Sequence, residues 1–287
     1  SILHSPFLAL MEGQERSLTA TVTPDNAADK TLKWTSSDEG VATVDQTGKL
    51  TAVSKGKATV KATANDGSGV FATCSVSVKE RYTAMAGEAV DLGLSVKWSS
   101  LNLGAATPTG YGDHFAWGET TPKEDYSWST YELCNGYGSK MMKYCDHSLH
   151  GTVDYKTELK DYDYEDDAAR QVLGGNWCIP TDAEWLELKT RCTWTWVTNY
   201  NGSRVNGELV TATNGNSIFL PAAGFRNDAD KCEVNTYGAY WSSSIYTGDA
   251  TDYSDYAWCV NFYSSAAFRD HLHYRYRGFS VRPVSKE

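Results

Sequence analysis

Apolar and polar residues alternate with period two in short stretches through the first eighty residues: Leu18–Val22, Leu32–Trp34, Val41–Val44, Ala58–Ala62 and Cys74–Val78. Turn-forming clusters separate them at Pro24-Asp-Asn26, Ser37–Gly40, Thr47-Gly-Lys49, Lys55-Gly-Lys57 and Asp66-Gly67. Strands at this spacing, broken by such turns, predict an antiparallel sandwich or barrel. Trp34 occupies an alternating position and is expected in the core. Beyond residue 87 the pattern changes. Glu165–Leu173 places acids ahead of an apolar helical run that stops at Gly174-Gly175. Thr181-Asp-Ala-Glu184 is a capping box opening a second helix through Trp185, Leu186 and Leu188. Most of the remaining sequence alternates like strand or carries Gly, Asn and Asp like loop. The predicted fold is an all-β sandwich over 1–80, a linker at 81–87, and an α+β domain of two helices and antiparallel strands over 88–287.

Composition sharpens the boundary. Residues 1–81 hold no Tyr, one Trp and two Phe, whereas nine Trp and all eighteen Tyr lie from Tyr82 onward. The chain has 26 basic and 36 acidic residues, net −10. Residues 1–80 contribute eight basic and nine acidic groups, so −9 belongs to the remainder. An acidic second domain argues against nucleic acid, which needs a basic stripe. No apolar run is long enough for a membrane-spanning helix. The start at Ser1-Ile2-Leu3 shows no signal peptide and reads as a trimmed or mature end.

In order, Trp34-Thr-Ser-Ser-Asp38, Val41-Ala-Thr-Val-Asp45, Thr47-Gly-Lys-Leu-Thr-Ala52 and Gly56-Lys-Ala-Thr-Val-Lys-Ala62 closely resemble the bacterial Ig-like group 2 module over residues 5–79. That resemblance implies an extracellular spacer. Cys74 has no partner cysteine there, which excludes an inter-sheet disulfide within this module. The second domain carries Asp91–Trp98, Tyr111–Glu119, Asp166–Ala169, Gly174–Trp177, Ile179–Trp185, Ile218–Gly224, Tyr240–Ser244 and Gly278–Val284. This series resembles the Fibrobacter succinogenes major domain family of Bacteroides-type surface and adhesion proteins. The resemblance implies a C-type-lectin-like fold at the cell surface, outer-membrane anchored, with room for a lipid anchor upstream of Ser1.

Metal, redox and catalytic chemistry find little support. The cysteines at 134, 145, 178, 192, 232 and 259 form no C-x-x-C pair. His147 and His150 near Cys145 lie in a Gly-rich loop, where a Cys134–Cys145 bridge would also close. The sugar-binding Glu-Pro-Asn, Gln-Pro-Asp and Trp-Asn-Asp triplets of C-type lectins are absent. The acid run Asp161–Asp167 has oxygen ligands enough for calcium, but its stronger reading is a solvated helix N-terminus. No cofactor is therefore expected, with calcium the one admitted. Formylglycine-generating enzymes share the lectin-like architecture, yet their cysteine pair is matched at most by Cys259. Asp113, His114 and Glu119 could imitate an acid–base group, but lie in a recurrent block of the resembled family. The expectation is no enzyme.

The strongest signal is the tail. From Tyr237 to Phe279, thirteen of 43 residues are aromatic, interleaved with Asp, Arg, His, Ser and Gly. Such composition resembles a paratope, where Tyr supplies rigid amphipathic area and small polar residues supply hydrogen bonds. Trp241, Trp258, Val260, Phe262, Phe279 and Val281 alternate as core. The run Tyr263–Arg277 lacks clean periodicity, and its charges resist burial. The expected ligand-binding residues are Tyr246, Tyr253, Tyr256, Tyr263, Ser265, Phe268, Asp270, His271, His273, Tyr274 and Arg277. Residues 234–284 contain no Lys, Glu, Gln or Met. Every residue type in Tyr263–Arg277 is reachable from an Asn codon by changing adenines. The segment thus resembles the variable region of diversity-generating retroelement targets. The expected function is a surface adhesin that binds a host or microbial protein or glycan. The alternatives are an enzyme on the lectin fold, or a pilus or surface-layer subunit using Ser1–Met11 as a donor strand.

Overall fold

The computed structural model describes all residues except 1, 4–6, 25, 26, 28, 81, 139, 248–253 and 287, and the backbone alone of 2, 3 and 266–272. The chain divides into two compact units, Ser1–Tyr82 and Thr83–Glu287.

The first unit is a two-sheet sandwich. One sheet orders Phe7–Met11, Phe71–Lys79, Gly56–Ala64 and Leu32–Ser36, the other Glu15–Ser17, Lys49–Ala52 and Ala42–Val44. Alternation does the sorting: Cys74, Val76 and Val78 point inward while their neighbours face out. These residues close on Leu10, Trp34, Leu50 and Val60 in one core. Gln46 extends the pairing around Trp34. Its amide Nε2 donates to the Trp34 carbonyl at 3.0 Å, and its Oε1 accepts the Trp34 N–H at 3.2 Å. Phe7–Met11 runs parallel to Phe71–Lys79, from Phe7 opposite Ser75 to Met11 opposite Lys79. Within the segment weighed as a donor strand, Phe7–Met11 is thus paired in this sheet, and Ile2–Leu3 pairs separately with Ala20–Thr21.

In the second unit the two ends meet. Lys97–Ser99 lies between Ala89–Val90 and Val284–Ser285, and Trp177–Cys178 extends the same sheet. The largest sheet orders His114–Phe115, Phe279–Ser280, Tyr237–Ile245, Tyr256–Tyr263 and Ala266–Tyr274. The unit also holds a three-stranded sheet, Thr193–Val197 with Gly207–Thr211 and Ser217–Pro221, and a small hairpin of Phe225–Asn227 with Asp230–Cys232. Among the described residues, no helix is long and apolar enough to cross a membrane.

Both predicted helices form where their caps fall. In α1 (Ala168–Leu173) the fully buried Asp167 carboxylate accepts the N–H groups of Arg170 and Ile179, both at 2.9 Å, and Gly174 ends the helix. In α2 (Asp182–Arg191) Thr181 Oγ1 accepts the Glu184 N–H at 3.2 Å while Glu184 accepts the Thr181 N–H at 2.7 Å. Trp185 and Leu188 of α2 enter a core with Trp98, Tyr240, Val260 and Phe262. Trp185 meets Trp98 edge-on at 4.7 Å, and its indole donates to the Trp241 carbonyl at 3.1 Å. Full burial of each such side chain stabilises by roughly 1.5–3 kcal/mol. Gly238 is required here, because a Cβ would stand 2.1 Å from the Phe262 ring.

Three expectations are corrected. The acid run is no merely solvated helix end. Asp161 accepts the N–H groups of Thr157 and Glu158, Asp166 pairs with Lys143 at 2.9 Å, and Asp167 is buried. Backbone N–H groups claim the oxygens of Asp161 and Asp167, and the Lys143 ammonium and Tyr144 hydroxyl claim those of Asp166. Cys134 and Cys145 remain separate buried thiols, as all seven cysteines are free. Trp241, Val260, Phe262, Phe279 and Val281 are buried as alternation requires, whereas Trp258 is half-exposed.

Candidate functional site: an aromatic band on the terminal hairpin

The Tyr256–Tyr263 and Ala266–Tyr274 strands form the outer hairpin of the five-stranded sheet, with Tyr256 directly opposite Tyr274. The residue just past this hairpin, Arg275, sets the site. Arg275 is fully buried and folds inward over Trp117, its guanidinium 4.6 Å from that ring. Its Nε donates to Tyr131 Oη at 3.0 Å. Nη1 donates to the carbonyls of Tyr144 (3.0 Å) and Ser254 (2.9 Å), and Nη2 to that of Lys143 (3.2 Å). The expectation that charges in this run stay exposed fails at Arg275, because oxygens from three separate segments converge on it. Arg275 and Tyr276 form a turn after the strand, closed by the Arg277 N–H donating to the Tyr274 carbonyl at 3.1 Å. With Arg275 committed inward, Tyr274 and Tyr276 turn outward and stack at 5.6 Å with 20° between ring planes.

Around them a band of half-exposed rings assembles. Tyr256 approaches Tyr274 at 4.4 Å, and Trp128 approaches Tyr276 at 4.6 Å and Tyr274 at 5.7 Å. Gly138 gives Trp128 its space, since a Cβ there would lie 2.8 Å from Cζ2 of the indole. Two residues along the strand from Tyr256, Trp258 meets Tyr246 edge-on at 5.1 Å. Trp258 also lines a cleft of about 340 Å³ with Thr157, Lys160, Asp182 and Thr247. Glu158 in its wall is already engaged, accepting the hydroxyls of Ser243 (3.1 Å) and Ser244 (2.7 Å).

The expected binding residues therefore separate. Tyr246, Tyr256 and Tyr274 join the band. Tyr263 (39% exposed) and the exposed Ser265 mark the hairpin turn. His273 packs edge-on against Phe279 at 5.0 Å and lies 3.2 Å from Arg277, which faces the Phe225 ring at 5.7 Å. These two sit apart from the Tyr274 rings. Tyr253 lies outside the described residues, as do the side chains of Phe268, Asp270 and His271. Sequence reasoning passed over Trp128, Trp258 and Tyr276. Trp128 sits in a loop with no periodicity to mark it, and Trp258 keeps the alternation of a core strand. Tyr276 carried a signal in its alternation with Tyr274.

The remaining candidate groups fall elsewhere. Among the described residues no cluster of His, Cys, Asp and Glu is arranged to hold a metal. The His147 and His150 rings stand 6.3 Å apart, and Cys145 Sγ donates to the His147 carbonyl. Cys259 is buried, and that burial pushes its thiol far up. Glu119 is buried against Lys123 at 2.8 Å. His114 is buried, and loss of solvent together with Lys231 and Arg226 holds its imidazole down to about 4.

Residues 3–76 match the family described as bacterial Ig-like domain (group 2). The first unit is a bacterial Ig-like domain. Relatives align over this domain. Lacto-N-biosidase of Bifidobacterium bifidum is 49% identical over 70 residues, covering 24% of this chain and 6% of that protein. An uncharacterized protein of Clostridium acetobutylicum is 48% identical over 69 residues, covering 24% of this chain and 7% of its own. The chain thus matches less than a tenth of the length of either. A bacterial Ig-like domain containing xylanase from termite gut aligns with TM-score 0.22 and 22% identity, over 30% of this chain and 22% of that one.

Proposed function

We propose that this chain is a cell-surface binding protein. The Ig-like domain acts as spacer, and the second unit is a C-type-lectin-like head that binds a protein or glycan without bond-making chemistry. The observation that carries this reading is the band of Trp128, Tyr276, Tyr274 and Tyr256, four half-exposed rings in mutual contact. A folding core would bury such area. Left partly in solvent, it supplies rigid amphipathic contact of the kind that concentrates binding energy. The lectin-like reading is supported by two short helices packed with antiparallel strands. The extracellular location is supported by the Ig-like domain and the family resemblance of the head. The hairpin is also the segment whose residue types resemble a retroelement-diversified region.

The test is a protein and glycan array probed with the full chain and with a Trp128→Ala/Tyr274→Ala/Tyr276→Ala variant. Loss of the bound ligand in a variant that keeps its thermal midpoint within a few degrees supports the site. Retained binding in the folded variant rejects it. Codons in Tyr263–Arg277 that mostly do not end in C would reject the diversification reading.

A further inference from the structure

The cleft beside Trp258 is walled by segments that meet only in the folded head. They are residues 157–160, the first turn of α2, the end of the Tyr237–Ile245 strand, and Trp258 itself. These walls are tied to one another. The Ile245 N–H donates to the Thr157 carbonyl at 2.9 Å, the Ser243 N–H to the Pro180 carbonyl at 2.8 Å, and the Asp182 N–H to Ser244 Oγ at 3.3 Å. A ligand therefore meets a preformed cleft, which removes the cost of ordering its walls on binding. Its volume of about 340 Å³ equals about eleven waters at ~30 Å³ each, room for one or two sugar rings.

The lining joins one aromatic ring to a mixture of donors and acceptors. Trp258 is half-exposed, and its indole N–H meets no acceptor among the described residues. Lys160 is exposed at the cleft and forms no ion pair among the described residues. The hydroxyls of Thr157, Thr181 and Thr247 likewise donate to no described residue. Thr181 Oγ1 accepts the Glu184 N–H, which leaves its own proton to be placed. Two carboxylates, Glu158 and Asp182, share the wall. Glu158 accepts the hydroxyls of Ser243 and Ser244, and its oxygens have more acceptor positions than those two fill.

That mixture selects the class of ligand. A sugar hydroxyl donates and accepts at once, so a ring of hydroxyls answers the ammonium, the threonines and the carboxylates together. The apolar C–H face of a pyranose suits the indole, whose N–H edge stays polar. An acidic sugar or a phosphate would meet the charges of Glu158 and Asp182. A lysine or arginine side chain brings donors only and leaves the Lys160 ammonium unanswered. An apolar side chain would strip water from every polar group in the wall and replace none of it.

We propose that the Trp258 cleft binds one neutral hexopyranose, the terminal residue of an uncharged glycan, stacked on the indole. Trp258 and Tyr256 are two residues apart on one strand and share a face of the sheet, so the cleft continues the aromatic band. The proposal rests on the reading of the head as a binding domain and narrows its ligand from protein or glycan to glycan.

The test is a titration of the full chain, labelled with ¹⁵N at the tryptophan indoles. The probes are the methyl glycosides of glucose, galactose, mannose and N-acetylglucosamine, with glucuronate and an amidated lysine peptide as charged comparisons. The expected result is a saturable shift of the Trp258 indole resonance, assigned by its loss in Trp258→Phe, with a neutral glycoside that binds tighter than either charged probe. Lys160→Ala, an exposed change, should weaken that glycoside roughly tenfold by loss of one charged hydrogen bond. No saturable shift with any neutral glycoside, equal affinity in the Lys160→Ala variant, or tighter binding of glucuronate or the peptide overturns the proposal. Its failure is distinguishable from failure of the aromatic band. A saturable shift here, with array binding retained by the Trp128→Ala/Tyr274→Ala/Tyr276→Ala variant, rejects the band and keeps the cleft. No shift here, with array binding lost in that variant, keeps the band and rejects the cleft.

Discussion

Arg275 stands 4.6 Å over the Trp117 ring, fully buried, and the two residues beside it are the outward-stacked Tyr274 and Tyr276. The buried cation therefore sets the direction of the exposed rings. It is satisfied by a hydroxyl and three carbonyls in fixed directions, a pattern that suits a planar guanidinium and that an ammonium cannot reproduce.

Arg275→Lys should accordingly destabilise the second unit by about 3 kcal/mol, since several hydrogen bonds are lost and buried acceptors are left unmet. For a unit of this size that is a fall of about 6–12 °C in thermal midpoint. Calorimetry checks it. An unchanged midpoint would show that the carbonyls find other donors.

Trp128→Ala should separate binding from stability. The indole touches Tyr131, Tyr274 and Tyr276, yet is half-exposed. Removal of a central Trp anchor costs at least about 2 kcal/mol of binding, or roughly 30-fold. Tyr263→Ala, at the hairpin turn, should cost less. Surface plasmon resonance against the ligand found on the array measures both, and a larger loss for Tyr263→Ala would move the contact to the turn.

Glu208 supplies a pH signature. It is 4% exposed in the three-stranded sheet, opposite Trp196 and Leu220, and its Oε2 has no partner. Burial pushes its carboxyl up to about 7 from 4.5. A raised folded-state pKa means stability that is complete below the unfolded value and is lost as pH rises through the folded value. Between pH 5 and 8 the parent protein should lose the Glu208 contribution, while Glu208→Gln, neutral throughout, should not. Urea midpoints at pH 5, 7 and 8 should therefore show the variant gaining on the parent as pH rises. A constant difference would mean that Glu208 finds a partner or water.

Trp34→Ala tests the independence of the Ig-like domain. Trp34 is 6% exposed at the centre of that core, and its truncation should cost about 3–5 kcal/mol there. Ligand binding by the second unit should be unaffected at temperatures where both units are folded. Far-ultraviolet melting and the array assay, run together, check the two halves of this expectation.

Much of the fold was legible because its signals are local. Period-two alternation marked Cys74, Val76 and Val78 for the core, and the same rule buried Val260 and Phe262. Asp167 and Thr181 capped the helices where their spacing placed them. The functional surface was legible only as a region. Tyr256 and Tyr274, expected as binding residues, meet in the aromatic band, whereas His273, expected with them, packs against Phe279. Trp258 looked like core because its strand alternates, and it is half-exposed beside Tyr246.

The sequence by itself determined the Ig-like sandwich, both helix starts and the crowding of aromatic residues into the tail. These stem from side-chain periodicity and capping chemistry between residues a few positions apart. Only the tertiary structure decided which tail residues turn outward and which polar groups gather around Trp258. Burial of Arg275 needs oxygens from Tyr131, Lys143, Tyr144 and Ser254, and the cleft needs Thr157 and Thr181 brought to Trp258. Those partners lie up to more than a hundred residues apart, and no local pattern records where a folded chain brings them together.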